Sequence, residues 1–212
     1  MTAGIAEFVR EALGHDPADA SMFERALTHP SVGKSNYQRL EFLGDRVLGL
    51  VMADWLAERF PKEPEGLLSH RFTNLVSRTT CAEIGVAIGV PAQLRLGKQA
   101  REDGAARSEN VVGDAVEALI GALYLDGGLE PALAFIRRAW APSVEGQESA
   151  PRHPKSLLHE LAEGHGRKPP VYEVIDRSGP HHALRFTVRA TVKGLGEAVG
   201  SGASKQEAET AA

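Results

Sequence analysis

Between positions 5 and 140 apolar residues recur every three to four places, the spacing that turns one face of a helix inward, and strict strand-like alternation is scarce. The pattern predicts helices over 5–13, 20–27, 37–59, 66–76, 78–88, 108–125 and 129–140, broken at Pro30, Pro61, Pro64, Pro91 and the pair Gly127 and Gly128. From Ala141 to Pro154 the periodicity stops in favour of polar residues and three prolines, the composition of a linker. Beyond it the pattern changes to a helix over 155–164, strands over 171–176, 184–192 and 197–202, and a last helix opening at Ser204, with Glu207 placed for a capping box. The expected architecture is therefore multidomain. An all-α domain (1–143) is followed by a linker (144–153) and a small α+β domain of α-β-β-β-α order (154–212), whose final helix is expected to be cut short at Ala212.

Two helical stretches carry acids among apolar neighbours. In Arg39 to Val51, Leu40, Phe42, Leu43, Val47, Leu48, Leu50 and Val51 leave little polar surface, so the segment is expected to be buried almost all round; Glu41 and Asp45 share one side of it. In the stretch from Glu109 to Leu125, Asp114 and Glu117 sit three apart among Val111, Val112, Val116, Leu119, Ile120 and Leu123. Same-face carboxylates in an apolar setting repel and are costly to bury, so a positive charge is required between them. Mg²⁺ is one solution, since it takes oxygen ligands, and a pair of such ions about 3.5–4 Å apart activates water and offsets charge on a leaving oxygen. Structural salt bridges to Arg39, Arg46 or Lys98, or simple solvent exposure, are others, and spacing leaves all three open. Gly44 and Gly49 cost about 1 kcal/mol each in a helix and suggest the close approach of another backbone, a dimer contact being one cause.

The run R-L-E-F-L-G-D at Arg39 to Asp45 resembles the signature of the ribonuclease III catalytic domain. G-D-A-V-E-A-L-I-G-A-L-Y-L-D at Gly113 to Asp126 is similar to that family's second acidic motif. A-L-T-H-P at Ala26 to Pro30 and E-G-L-L-S-H-R-F-T-N-L-V at Glu65 to Val76 resemble intervening family segments. The resemblance implies that Glu41, Asp45, Asp114 and Glu117 are the catalytic, metal-binding set, holding Mg²⁺ with Mn²⁺ as a substitute. It further implies hydrolysis of double-stranded RNA to 5′-phosphate and 3′-hydroxyl ends, in ribosomal and messenger RNA processing. Glu65 would be an auxiliary acid near the RNA, and Phe42 would pack across a homodimer interface. Where many members carry an acid, this chain has Gln38, which adds no charge and is placed among the RNA contacts.

Composition bounds these readings. A chain of 212 residues with 42% hydrophobic and 25% charged content can bury a sizeable core. No apolar run approaches the roughly 20 residues needed to span a bilayer, and the acidic first twenty residues do not read as a signal peptide. Cys81 is the only cysteine, which excludes an internal disulfide and multi-thiolate zinc sites and fits a reducing cytoplasm. His29 and His70 lack a nucleophile partner at recognisable spacing, so serine or cysteine catalysis is set aside.

The net charge of -4 divides unevenly: residues 1–151 hold 15 Lys+Arg against 21 Asp+Glu, giving -6, whereas 152–212 hold 9 against 7, giving +2, with five of the eight histidines. A basic module on an acidic body suits a polyanion partner for one and cations for the other. The tail, with its turn from Gly179 to His182, resembles a double-stranded-RNA-binding domain, which reads shape across about 16 base pairs. Resemblance places Ser156, His159, Glu160 and His182 at the minor grooves and Lys205 at phosphate. Only Lys205 is basic at the start of the last helix, so modest affinity is expected. A protein that holds duplex RNA without cutting it is the competing reading, and the presence of all four acids argues for cutting.

Overall fold

The computed structural model describes residues 2–146, 154–179 and 184–212. The chain forms two compact units, divided at Ala150 and Pro151.

The first unit is helical. Helix α1 (Thr2–Phe8) runs on through a π-helical turn, Val9–Leu13, that ends at Gly14 with φ of 72°. Then come α2 (Ala20–Ala26), α3 (Gln38–Arg59), α4 (Glu65–Leu75), α5 (Arg78–Ala87), the short α6 (Val90–Gln93) and α7 (Lys98–Glu102), α8 (Glu109–Gly127) and α9 (Leu129–Glu145). The short α6 and α7 fall below the length at which periodicity is readable.

Helix α8 is the axis of this unit: Val112, Ala115, Val116, Ala118, Leu119, Ile120, Ala122 and Leu123 are buried on several sides of it, against α3, α5, α9 and α2. Burying Phe23 and Phe135 contributes about 1.5–3 kcal/mol each, and Trp140 fills the space beneath α4, its indole N–H donating to the Leu75 carbonyl at 2.8 Å. Helix α9 passes through Pro142 to Glu145, beyond the expected end of the domain, because Val144 is still buried and one missing N–H does not outweigh that packing.

The expectation that α3 is buried almost all round is corrected. Leu40, Val47, Leu48, Val51 and Met52 face the core, whereas Phe42 is 63% and Leu50 61% exposed. Their eight-residue spacing puts both on one outer face. At Gly44 the expected close approach of another backbone is found, and that backbone belongs to this same domain, not to a dimer partner. A Cβ on Gly44 would lie 1.7 Å from the Glu117 carbonyl oxygen, and one on Gly121 would lie 2.2 Å from that of Leu40. The two glycines let α3 and α8 touch backbone to backbone. Gly49 meets only the Phe72 ring, at 3.5 Å, an ordinary contact.

In the second unit α10 (Pro154–Gly164) precedes an antiparallel sheet ordered β1 (Val171–Ser178), β2 (Arg185–Val192), β3 (Gly196–Gly202), and α11 (Lys205–Ala211) packs on β2 and β3. Val188, Ala190, Val192, Ala162 and Ala208 form its small core. Ser204 caps α11 by accepting from the Glu207 N–H at 3.1 Å, and Glu207 reaches back to the Ala203 N–H at 2.8 Å, one residue before the position expected of a capping box. Among the described residues no helix is long and apolar enough to cross a membrane.

Candidate active site

The contact between α3 and α8 decides where the acids stand. Because Gly44 and Gly121 remove the side chains that would hold the helices apart, one turn of each helix projects into the same small volume, and carboxylate oxygens of Glu41, Asp114 and Glu117 all lie within 4.8 Å of one another. The three are half-buried. Asp45, one turn beyond Glu41, stands outside this group with its side chain 45% exposed, and its Oδ2 accepts from Arg46 at 2.6 Å. It remains near enough for its charge to be the first of those that act on Glu117.

The electrostatics are those of crowded anions. Burial, then the charges of Asp45, Asp114 and Glu41, push the Glu117 carboxyl up to about 7, with Arg78 opposing. Burial and the Asp114 charge raise Glu41. Burial raises Asp114 as well, against the pull of a hydrogen bond from Tyr37 and of Arg78 and His29. The Cys81 thiol beneath them is pushed up to about 12 by burial and by Glu117 and Asp45, so it is inert as a nucleophile. Among the described residues, Asp45 alone of the four acids makes an ion pair. An all-oxygen donor set that a bound cation would relieve fits a hard divalent ion such as Mg²⁺.

Arg78, at the start of α5, is the cation that offsets the cluster. Arg39 and Lys98, considered from the sequence, are not among the charges that act on it. Tyr37 is the other participant that sequence reasoning missed. Its side chain is only 3% exposed and its hydroxyl donates to Asp114 Oδ2 at 3.3 Å. A tyrosine immediately before an apolar helix was the available signal, since a buried phenol needs a hydrogen-bond partner. His29 lies edge-on to the Tyr37 ring at 5.8 Å, with its Nδ1 hydrogen-bonded to Ser31 Oγ.

The remaining candidates are dispersed. Gln38 is exposed in the first turn of α3, and Glu65 is exposed at the start of α4, accepting from Ser69 Oγ at 2.7 Å. Arg46 stacks over the exposed Phe42 ring at 4.1 Å. In the second unit, half-buried Ser156 and exposed His159 and Glu160 follow one side of α10, and exposed Lys205 opens α11, 3.7 Å from Glu209. His182 lies outside the described residues.

A helical domain that gathers carboxylates between two helices, followed by an α-β-β-β-α module, defines a two-part nuclease architecture. Comparison with known proteins agrees. A ribonuclease-III-like family model matches residues 19–144, and the double-stranded RNA binding motif matches 154–212. The chain is 58% identical to Ribonuclease 3 of Zymomonas mobilis over 97% of its own length and 83% of that protein's, and 45% identical to Ribonuclease 3 of Caulobacter vibrioides over 94% and 89%. Among solved structures, the nuclease domain of ribonuclease III from Campylobacter jejuni is similar, with a TM-score of 0.61 and 34% identity, over 63% of this chain and 94% of that one. The chain belongs to the ribonuclease III family and is an endoribonuclease acting on double-stranded RNA.

Proposed function

We propose that Glu41, Asp45, Asp114 and Glu117 hold a divalent cation, Mg²⁺ with Mn²⁺ as a substitute, and that this site hydrolyses duplex RNA to 5′-phosphate and 3′-hydroxyl ends. The observation that carries the reading is the convergence of three half-buried carboxylates within 4.8 Å, from two helices in backbone contact. When bound, the ion would supply Lewis-acid activation of the attacking water and offset charge on the phosphate. The residues do the rest. Glu117, the acid most strongly pushed toward its protonated form, would yield its proton on ion binding. Asp45, already outside the cluster and partly exposed, would swing from Arg46 to complete the set.

On this reading the catalytic domain expected over 1–143 extends through the last turn of α9 to Glu145, the linker follows it, and 154–212 is the RNA-binding domain. Gln38, Glu65, Ser156, His159, Glu160, His182 and Lys205 contact the duplex. The exposed pair Phe42 and Leu50 supports a homodimer, in which each site would cut one strand. The Campylobacter jejuni nuclease domain is described as structurally flexible in a region involved in dimer formation, a property of that relative which points the same way. Precursor ribosomal and messenger RNA in the cytoplasm would be the substrates.

The test is a long RNA duplex incubated with and without Mg²⁺. Cleavage should require the ion and fall at least 10²-fold in Glu117→Gln, the scale of losing a group that acts in the transition state. A Glu117→Gln variant that cuts as fast as its parent, or a duplex that survives with Mg²⁺, would overturn the assignment.

A further inference from the structure

We infer that Tyr37 is a positioning residue for the cation site, its buried hydroxyl holding the Asp114 carboxylate in the orientation from which that carboxylate binds the ion. The inference rests on the assignment of Asp114 as a ligand. Its own support is geometric. Tyr37 is fixed from three directions before its hydroxyl reaches Asp114. Its backbone N–H donates to the Thr28 carbonyl at 3.0 Å, and its own carbonyl accepts from the Leu40 and Glu41 amides, each at 2.9 Å, as α3 begins. The ring is wedged edge-on to His29, and the His29 N–H donates to the Arg95 carbonyl at 2.9 Å.

The Tyr37 backbone is thus tied to Thr28 on one side and to the start of the helix carrying Glu41 on the other, with the ring against His29. The hydroxyl reaches from there to Asp114 on α8. An aspartate side chain can take several staggered rotamers, and repulsion from Glu41 and Glu117 would favour one that turns Asp114 away from the cluster. A donor on Oδ2 opposes that escape. One donated hydrogen occupies about one of four lone-pair sites on a carboxylate, so the others stay free for a cation. Groups that orient a ligand in this way affect metal affinity by about 10–100-fold.

Tyr37→Phe removes the hydroxyl and keeps the ring. Titration calorimetry of the full chain with MgCl₂ should show Mg²⁺ binding weakened by about tenfold. The Mg²⁺ concentration for half-maximal cleavage should rise in parallel, while the rate at saturating Mg²⁺ changes far less. Measurement at 10 °C, with circular dichroism confirming the fold, separates this from loss of stability. A purely structural phenol predicts a lower melting temperature with unchanged Mg²⁺ affinity, and that result, or tighter binding in the variant, overturns the inference. Absence of any Mg²⁺ heat in the parent would instead remove the metal assignment itself.

Discussion

Glu117 gives the site a measurable effect on folding. Its carboxyl is pushed from 4.5 up to about 7 by burial and by Asp45, Asp114 and Glu41. Below about pH 4.5 it is neutral in both the folded and the unfolded chain and has no effect on the balance between them. Between 4.5 and 7 the unfolded chain has released the proton that the folded protein still holds, so stability falls as pH rises, and above 7 the penalty is complete. At about 1.4 kcal/mol for each pH unit the gap corresponds to roughly 3 kcal/mol, and solvent screening of a half-buried group reduces the expectation to about 2 kcal/mol.

Glu117→Gln keeps the shape and removes the charge. In chelator at pH 8 the variant should therefore melt about 4–8 °C above the parent, and the two curves should converge toward pH 4.5. Adding Mg²⁺ at a hundred times its dissociation constant should stabilise the parent by about 2.7 kcal/mol and the variant by less. Calorimetric melting over pH 4.5–8.5 reads all of this. A variant no more stable than its parent at pH 8 would refute the electrostatic account of the site, whatever its activity.

Three further outcomes follow from the same geometry. The Asp126 side chain is 3% exposed; burial alone would raise it, but His15 at 2.7 Å and the Ala18 and Asp19 amides at 2.9 Å prevail and hold it below its usual value. Asp126→Ala should cost about 2–4 kcal/mol in urea unfolding at pH 7, and this contribution should fade as pH falls below the ordinary aspartate value. Gly44→Ala forces a methyl onto the Glu117 carbonyl oxygen, so circular dichroism melting should show severe destabilisation, together with loss of cleavage. Phe42→Arg places a charge on the exposed face of α3 and should shift the sedimentation profile of the full chain toward monomer, with circular dichroism showing the helical fold intact.

Much of the architecture was legible because periodicity is a local property. The 3.6-residue pattern marks α3, α5 and α8 within a residue or two at most ends, and the change to alternation after 154 reveals the second domain. The run through Pro142 to Glu145 was not legible, because what holds that last turn is Val144 in a core assembled from distant helices. The same holds for α3. Its composition gave no way to tell Val47, buried, from Leu50, exposed, since both are apolar and only the docking of α8 selects a face.

The site divides along the same line. The sequence by itself determined which residues are acids, their pairwise spacing along each helix, and a glycine in each acidic segment. Only the tertiary structure decided that Gly44 and Gly121 face each other across the α3 and α8 contact, and so bring three carboxylates within 4.8 Å while leaving Asp45 with Arg46. It also decided that the Tyr37 hydroxyl, at the start of α3, reaches Asp114 on α8, and that the charge of Arg78 on α5 acts on these acids. The reason is physical: spacing along a helix is set by local hydrogen bonding, whereas the distance between helices is set by the side chains that lie between them.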